Sequence, residues 1–171
     1  MDFITDLPLS NSYRNLMVVT NRLSKDVILI PLPNLEVETV NDAFLERAVM
    51  YHWLLDYIVL DHGSQFLSNF WTTLCSKVEI KRRLLTAYYP QTNGLTERMN
   101  AVVEAYLQAY INWNHTDWAR WTSTAQITIK EQITISMGVS PFFLQHGYDV
   151  DPVQEDEGWT SKQHNCNEAT Y

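Results

Sequence analysis

Three acids sit where sheet proteins collect reactive groups, at strand ends and at a helix start beside a turn. Asp2 stands in "DFIT", Asp61 closes the apolar run "DYIVLD", and Glu97 follows "YYPQTNGLT". Carboxylates brought together from separate elements can hold a hard cation such as Mg²⁺, which takes oxygen ligands and keeps several of its waters. Each acid also has a plainer role. Near a helix start, Glu97 gains about 0.3–1 kcal/mol from the helix dipole. Asp61, directly before "HGSQ", can hydrogen-bond its own turn. Asp2 can be a frayed end, and Asp6 in the "TDLP" turn competes with it. On residue type and spacing alone the local roles are the commoner outcome, and the metal cluster stays open.

The elements that must position these acids are readable from periodicity. "NLMVVTN" (15–21) and "DVILIPL" (26–32) are β-branched, apolar runs separated by "RLSK", which predicts a hairpin. A helix is expected over about 36–53, where Val37, Val40, Phe44, Leu45, Ala48 and Val49 recur at helical spacing. "DYIVLD" (56–61) reads as a strand, 67–78 as a helix and "IKRRLLT" (80–86) as a further strand. The helix after "TNG" should bury Met99, Val102, Val103, Tyr106 and Tyr110, leaving Glu97, Ala101, Glu104 and Gln108 on another face. Residues 117–135 carry both strand-like alternation and a helix-compatible Trp118–Trp121 spacing. Ser140 followed by Pro141 predicts a short capped helix. A hairpin followed by strand–helix units implies an α/β domain with a mixed sheet covered by helices.

Composition narrows the class without naming a chemistry. With 46% hydrophobic and 19% charged residues the chain reads as an ordinary globular domain, and no apolar run is long enough for a membrane span. The net charge of −8 argues against a protein that coats nucleic acid. That charge is uneven: residues 149–171 hold six acids and one base, so the body is only moderately acidic. Within the body lies a basic cluster, Lys77, Lys81, Arg82 and Arg83, readable either as a phosphate-binding site or as a charged edge strand kept from pairing. Two cysteines, Cys75 and Cys166, are too few for a zinc cluster, and the six tryptophans read mainly as packing.

Five ordered blocks add a resemblance. "MDFITDLP", "VTNRLSK", "IVLDHGSQF", "TAYYPQTNGLTERMN" and "GVSPFFLQHGY" are similar to the integrase catalytic core of gypsy-class LTR retrotransposons, relatives of the retroviral integrases. The likeness spans residues 1–148, with 149–171 as an acidic, disordered tail. Thirty-five residues separate Asp61 from Glu97, the interval that family uses between its second and third acids. The resemblance implies a ribonuclease-H-like fold with a five-stranded mixed sheet flanked by helices. It also implies polynucleotidyl transfer, with Asp2, Asp61 and Glu97 as catalytic residues holding two Mg²⁺ or Mn²⁺ ions for DNA 3′-end processing and strand transfer.

Further roles follow from the same resemblance. Gln91 and Asn93 would offer amide contacts to a DNA end, while Arg98, Lys81, Arg82 and Arg83 would meet phosphates. The implied partners are retroelement ends, target DNA and further copies of the chain, with no membrane, and the expected location is nuclear. Other features point to a truncated or decayed copy, which leaves enzymatic activity uncertain. Met1 directly precedes Asp2, so the first strand is expected to be cut short, and no zinc-binding or basic module flanks the core. The alternative is a non-catalytic remnant, acting at most as a nucleic-acid or protein interaction module.

Overall fold

The computed structural model describes residues 1–50, 64–77 and 93–150. Strands β1 (Asp2–Ile4), β2 (Asn15–Thr20) and β3 (Val27–Leu32) form an antiparallel sheet in the order β1-β2-β3. Its register sets Asp2 opposite Val18, Ile4 opposite Leu16, and Thr20 opposite Val27. The expected hairpin is therefore present within a residue at each inner end. Its turn is fastened by Asn21, whose side-chain oxygen accepts from the amides of Leu23 and Ser24, with Lys25 at φ 62°.

Alternation along these strands divides the core in two. On one face Phe3, Met17, Ile28, Ile30 and Leu32 meet Val40, Phe44 and Ala48, together with Phe70 and Leu74. Those side chains come from α1 (Val37–Phe44), a π-helical turn that continues it (Leu45–Val49), and α2 (Ser64–Lys77). The rings of Phe44 and Phe70 meet edge to face at 5.6 Å. On the other face Leu16, Val18, Val27 and Leu29 meet Val103 and Leu107 of α3 (Asn93–Tyr110) and Trp118, Ala125 and Ile129 of α4 (Trp118–Glu131). Full burial of each such aliphatic side chain is worth roughly 1.5–3 kcal/mol, so two complete apolar faces dominate the stability of the domain. A short α5 (Pro141–His146) packs on α4. As its sequence foretold, Ser140 caps it by accepting from the Phe143 amide, and Gly147 ends it at φ 79°.

Several expectations are corrected. The stripe on α3 is rotated: Val102 and Tyr110 are substantially exposed, whereas Leu107 is buried. The ambiguous 117–135 stretch is helical from Trp118 to Glu131, with Ala125 and Ile129, four residues apart, buried against the sheet and Ile127 between them exposed. Trp113 is 96% exposed and does not pack, unlike Trp118. The strands expected at 56–61 and 80–86, the tail from 151 onward, and Cys166 lie outside the described residues. Among the described residues no helix is long and apolar enough to cross a membrane.

Helix α4 also finishes the edge of the sheet. Gln126 Oε1 accepts from the Leu29 amide at 2.9 Å, so a helix side chain takes a donor that faces away from β2. One turn further on, Lys130 Nζ pairs with Asp26 Oδ1 at 2.9 Å, both side chains nearly buried. At its other end, Trp118 Nε1 donates to the Pro8 carbonyl at 2.6 Å, and the Ala119 amide to Ser10 Oγ at 3.2 Å. The turn into α4 is braced by Asp117. The Asn112 amide and the Trp121 ring N–H donate to its carboxylate.

Two outcomes are expected. Lys130→Met strips Asp26 of its cation in a dry setting and should lower the unfolding free energy by about 3–5 kcal/mol in urea titrations. Replacing both residues with apolar ones should recover most of that loss. For Asp117, the hydrogen bond from Asn112, then the one from Trp121, hold the carboxyl below its ordinary value of 3.8. Its folded value is thus depressed, so its contribution is present above 3.8 and is lost as pH falls through the lower folded value. Asp117→Asn should therefore be less stable than the parent at neutral pH, with the gap closing on acidification.

Candidate metal and nucleic-acid site

Of the predicted acids, Asp2 lies on β1. Its strand position turns it to the face covered by α3, since its partner Val18 belongs to the core on that side. There Asn100 Nδ2 donates to Asp2 Oδ2 at 2.6 Å. The amide orientation follows from chemistry, because only the NH₂ end of Asn100 can face an ionised carboxylate. This bond ties the first strand to α3 across 98 residues of chain. Asp6, its competitor in the sequence, sits exposed in a turn at φ 58° and accepts from the Thr5 hydroxyl.

Glu97 lies on α3 three residues before Asn100, about 4.5 Å of helix rise away. The backbone therefore carries Glu97 within one turn of the group that grips Asp2. Asp61 lies outside the described residues, as do Gln91, Lys81, Arg82 and Arg83. Asn93 is the first residue of α3, and Arg98, beside Glu97, is exposed. Lys77, counted with the basic cluster from sequence, donates instead to Asp42 on α1, a role in joining two helices.

The sequence reading missed Asn100. It sits three places after Glu97, so helical spacing alone would have flagged it as a neighbour of the acid. Its Oδ1 is buried and has no hydrogen-bond partner among the described residues. A buried amide oxygen beside a carboxylate is an arrangement suited to a hydrated hard cation, which brings both positive charge and water hydrogens. Among the described residues no group of three or more His, Cys, Asp or Glu side chains stands together.

No protein-family model matches the chain. Among curated proteins it is 32% identical over 149 residues to the transposon Tf2-3 and Tf2-4 polyproteins of Schizosaccharomyces pombe, covering 86% of this chain. The chain spans 11% of the length of those relatives. Among solved structures it resembles the HTLV-2 integrase catalytic core domain in complex with magnesium, in trimeric form. The TM-score is 0.61 at 21% identity, over 85% of this chain and 94% of that one. The catalytic core domain of BIV integrase matches with a TM-score of 0.56 at 18% identity, over 84% and 92% of the two chains. A chain from the simian T-cell lymphotropic virus intasome, in complex with PP2A regulatory subunit B56 gamma, matches with a TM-score of 0.64 at 18% identity, over 95% and 59%.

The Asn100–Asp2 contact can be tested by charge. Asn100→Asp replaces the donor with a second carboxylate and should lower the unfolding free energy at neutral pH by about 1.5–3 kcal/mol, the worth of a hydrogen bond to a charged group. Denaturant titrations of the two proteins should show that loss.

Proposed function

From the premise that the chain is homologous to a stretch of the Tf2 retrotransposon polyproteins and has the fold of retroviral integrase catalytic cores, we propose that it is itself an integrase catalytic core. Its reaction would be metal-dependent polynucleotidyl transfer: trimming of a DNA 3′ end and joining of that end to target DNA. The observation that supports this reading is the 2.6 Å bond to Asp2 from Asn100, a residue three places after Glu97 on the same helix. Asp61 would complete the set. The strands read at 56–61 and 80–86 would bring the sheet to five in a ribonuclease-H-like arrangement.

Asp2, Asp61 and Glu97 would hold two Mg²⁺ or Mn²⁺ ions, and the orphaned Asn100 oxygen fits a hydrated cation there. When bound, such ions activate the attacking oxygen and stabilise the leaving one in an in-line displacement at phosphorus. The remaining work falls to the protein. Asn100 holds the Asp2 carboxylate through Oδ2, which would leave Oδ1 for the cation. Exposed Arg98 would meet a phosphate, with Lys81, Arg82 and Arg83 extending the contact. Gln91 and Asn93 would reach the DNA end. The trimeric HTLV-2 core and the simian virus intasome support an assembly of several copies here. Work on chromosomal DNA would place it in the nucleus.

The test is disintegration, the reversal of strand transfer, assayed with Mn²⁺ on a branched DNA substrate. Wild type should act, and Asp2→Asn, Asp61→Asn and Glu97→Gln should each lower the rate at least about 100-fold while keeping the native circular dichroism spectrum. A folded wild type without activity would instead assign the chain to the class of non-catalytic remnants.

A further inference from the structure

Thr20 ends β2 on the face that carries Asp2. Asp2 pairs with Val18, and Thr20 is two residues further along, so alternation returns it to the same side. The direction of α3 brings it into the candidate site. The C-terminal end of α3 leads through residues 111–117 to Trp118, which is anchored on Pro8 beyond the far end of β1. Asn100 lies over Asp2. Helix α3 therefore runs from Asp2 toward the residue-8 end of the sheet, and the turn that precedes Asn100, with Glu97, lies toward the Thr20 end.

The Thr20 hydroxyl is buried and has no hydrogen-bond partner among the described residues, and the same holds for Asn100 Oδ1. Two orphaned oxygens on the face that carries Asp2 are costly beside Leu16, Val18 and Val103. Diagonal neighbours on paired strands stand about 7–8 Å apart, too far for a direct bond from Thr20 to Asp2 but within the span of a bridging water.

We propose that Thr20 is a positioning residue of the metal site, its hydroxyl accepting a hydrogen bond from a water in the shell of the cation that Asp2 holds. The inference rests on the integrase reading above. A hydrated Mg²⁺ or Mn²⁺ presents water hydrogens that need acceptors, and Thr20 Oγ1 and Asn100 Oδ1 would supply two. The ordinary role for a threonine here is that of a β-branched strand former holding a structural water. The two roles differ in what they predict for metal affinity.

The experiment compares wild type, Thr20→Val, Thr20→Ser and Asp2→Asn as the full chain. It reads thermal unfolding without metal and Mn²⁺ affinity by calorimetric titration. In Thr20→Val the unpaired hydroxyl is gone, so the metal-free protein should melt no lower than wild type. Its Mn²⁺ affinity should nevertheless fall about tenfold, as for loss of an outer-shell partner, and Thr20→Ser should restore it. Unchanged Mn²⁺ affinity in Thr20→Val would overturn the proposal while leaving the integrase reading intact. Loss of affinity that serine does not restore, with a lower melting temperature, would overturn it in favour of packing. A wild type that binds Mn²⁺ no better than Asp2→Asn would remove the metal site, and this inference with it.

Discussion

Because β2 and β3 turn large aliphatic side chains to both sides of the sheet, neither face can meet water, and each needs a roof of helices. Leu16, Val18, Val27 and Leu29 have to find one set of partners while Met17, Ile28, Ile30 and Leu32 find another. Helices α1 and α2 close one side, and α3 and α4 the other. A one-residue slip between β2 and β3 would exchange the two faces, so the register that fixes the core also fixes which side Asp2 and Thr20 look toward.

The same demand explains the polar contacts around α4. To lie over Val27 and Leu29 this helix must cross the margin of β3, where Leu29 has an amide to satisfy and Asp26 carries a charge. Gln126 and Lys130, one helical turn apart, answer both. Trp118 and Ser10 then fix the opposite end of the helix to the segment after β1. The helix is thereby held at both ends by hydrogen bonds and along its middle by apolar contact. Its stacked neighbours Tyr106 and Tyr110 carry that alignment back to α3, with Tyr106 also bonded to Thr128.

Against this apolar background the polar group at Asp2 stands out. The carboxylate, the Asn100 amide and the Thr20 hydroxyl interrupt a face otherwise built from leucine, valine and tryptophan. An unpaired buried oxygen calls for an explanation, a bound water or ion among them.

Much of the scaffold was legible in the sequence because its signals are local. Period-two runs located the hairpin, and helical spacing placed α1, α2 and α3 to within a few residues. Ser140 and Pro141 announced α5, since a cap is a matter of adjacent atoms. The order and spacing of the acid-bearing blocks carried the kinship with integrases. What tertiary structure alone decided depends on contacts between distant residues. Whether "AQITI" became strand or helix turned on an open sheet face waiting for Ala125 and Ile129. Which residues of α3 faced inward, Leu107 rather than Val102, turned on where the sheet lay beneath it. And the partner of Asp2, which residue type and spacing alone left open to a frayed end, is an amide 98 residues away that no local pattern could have paired with it.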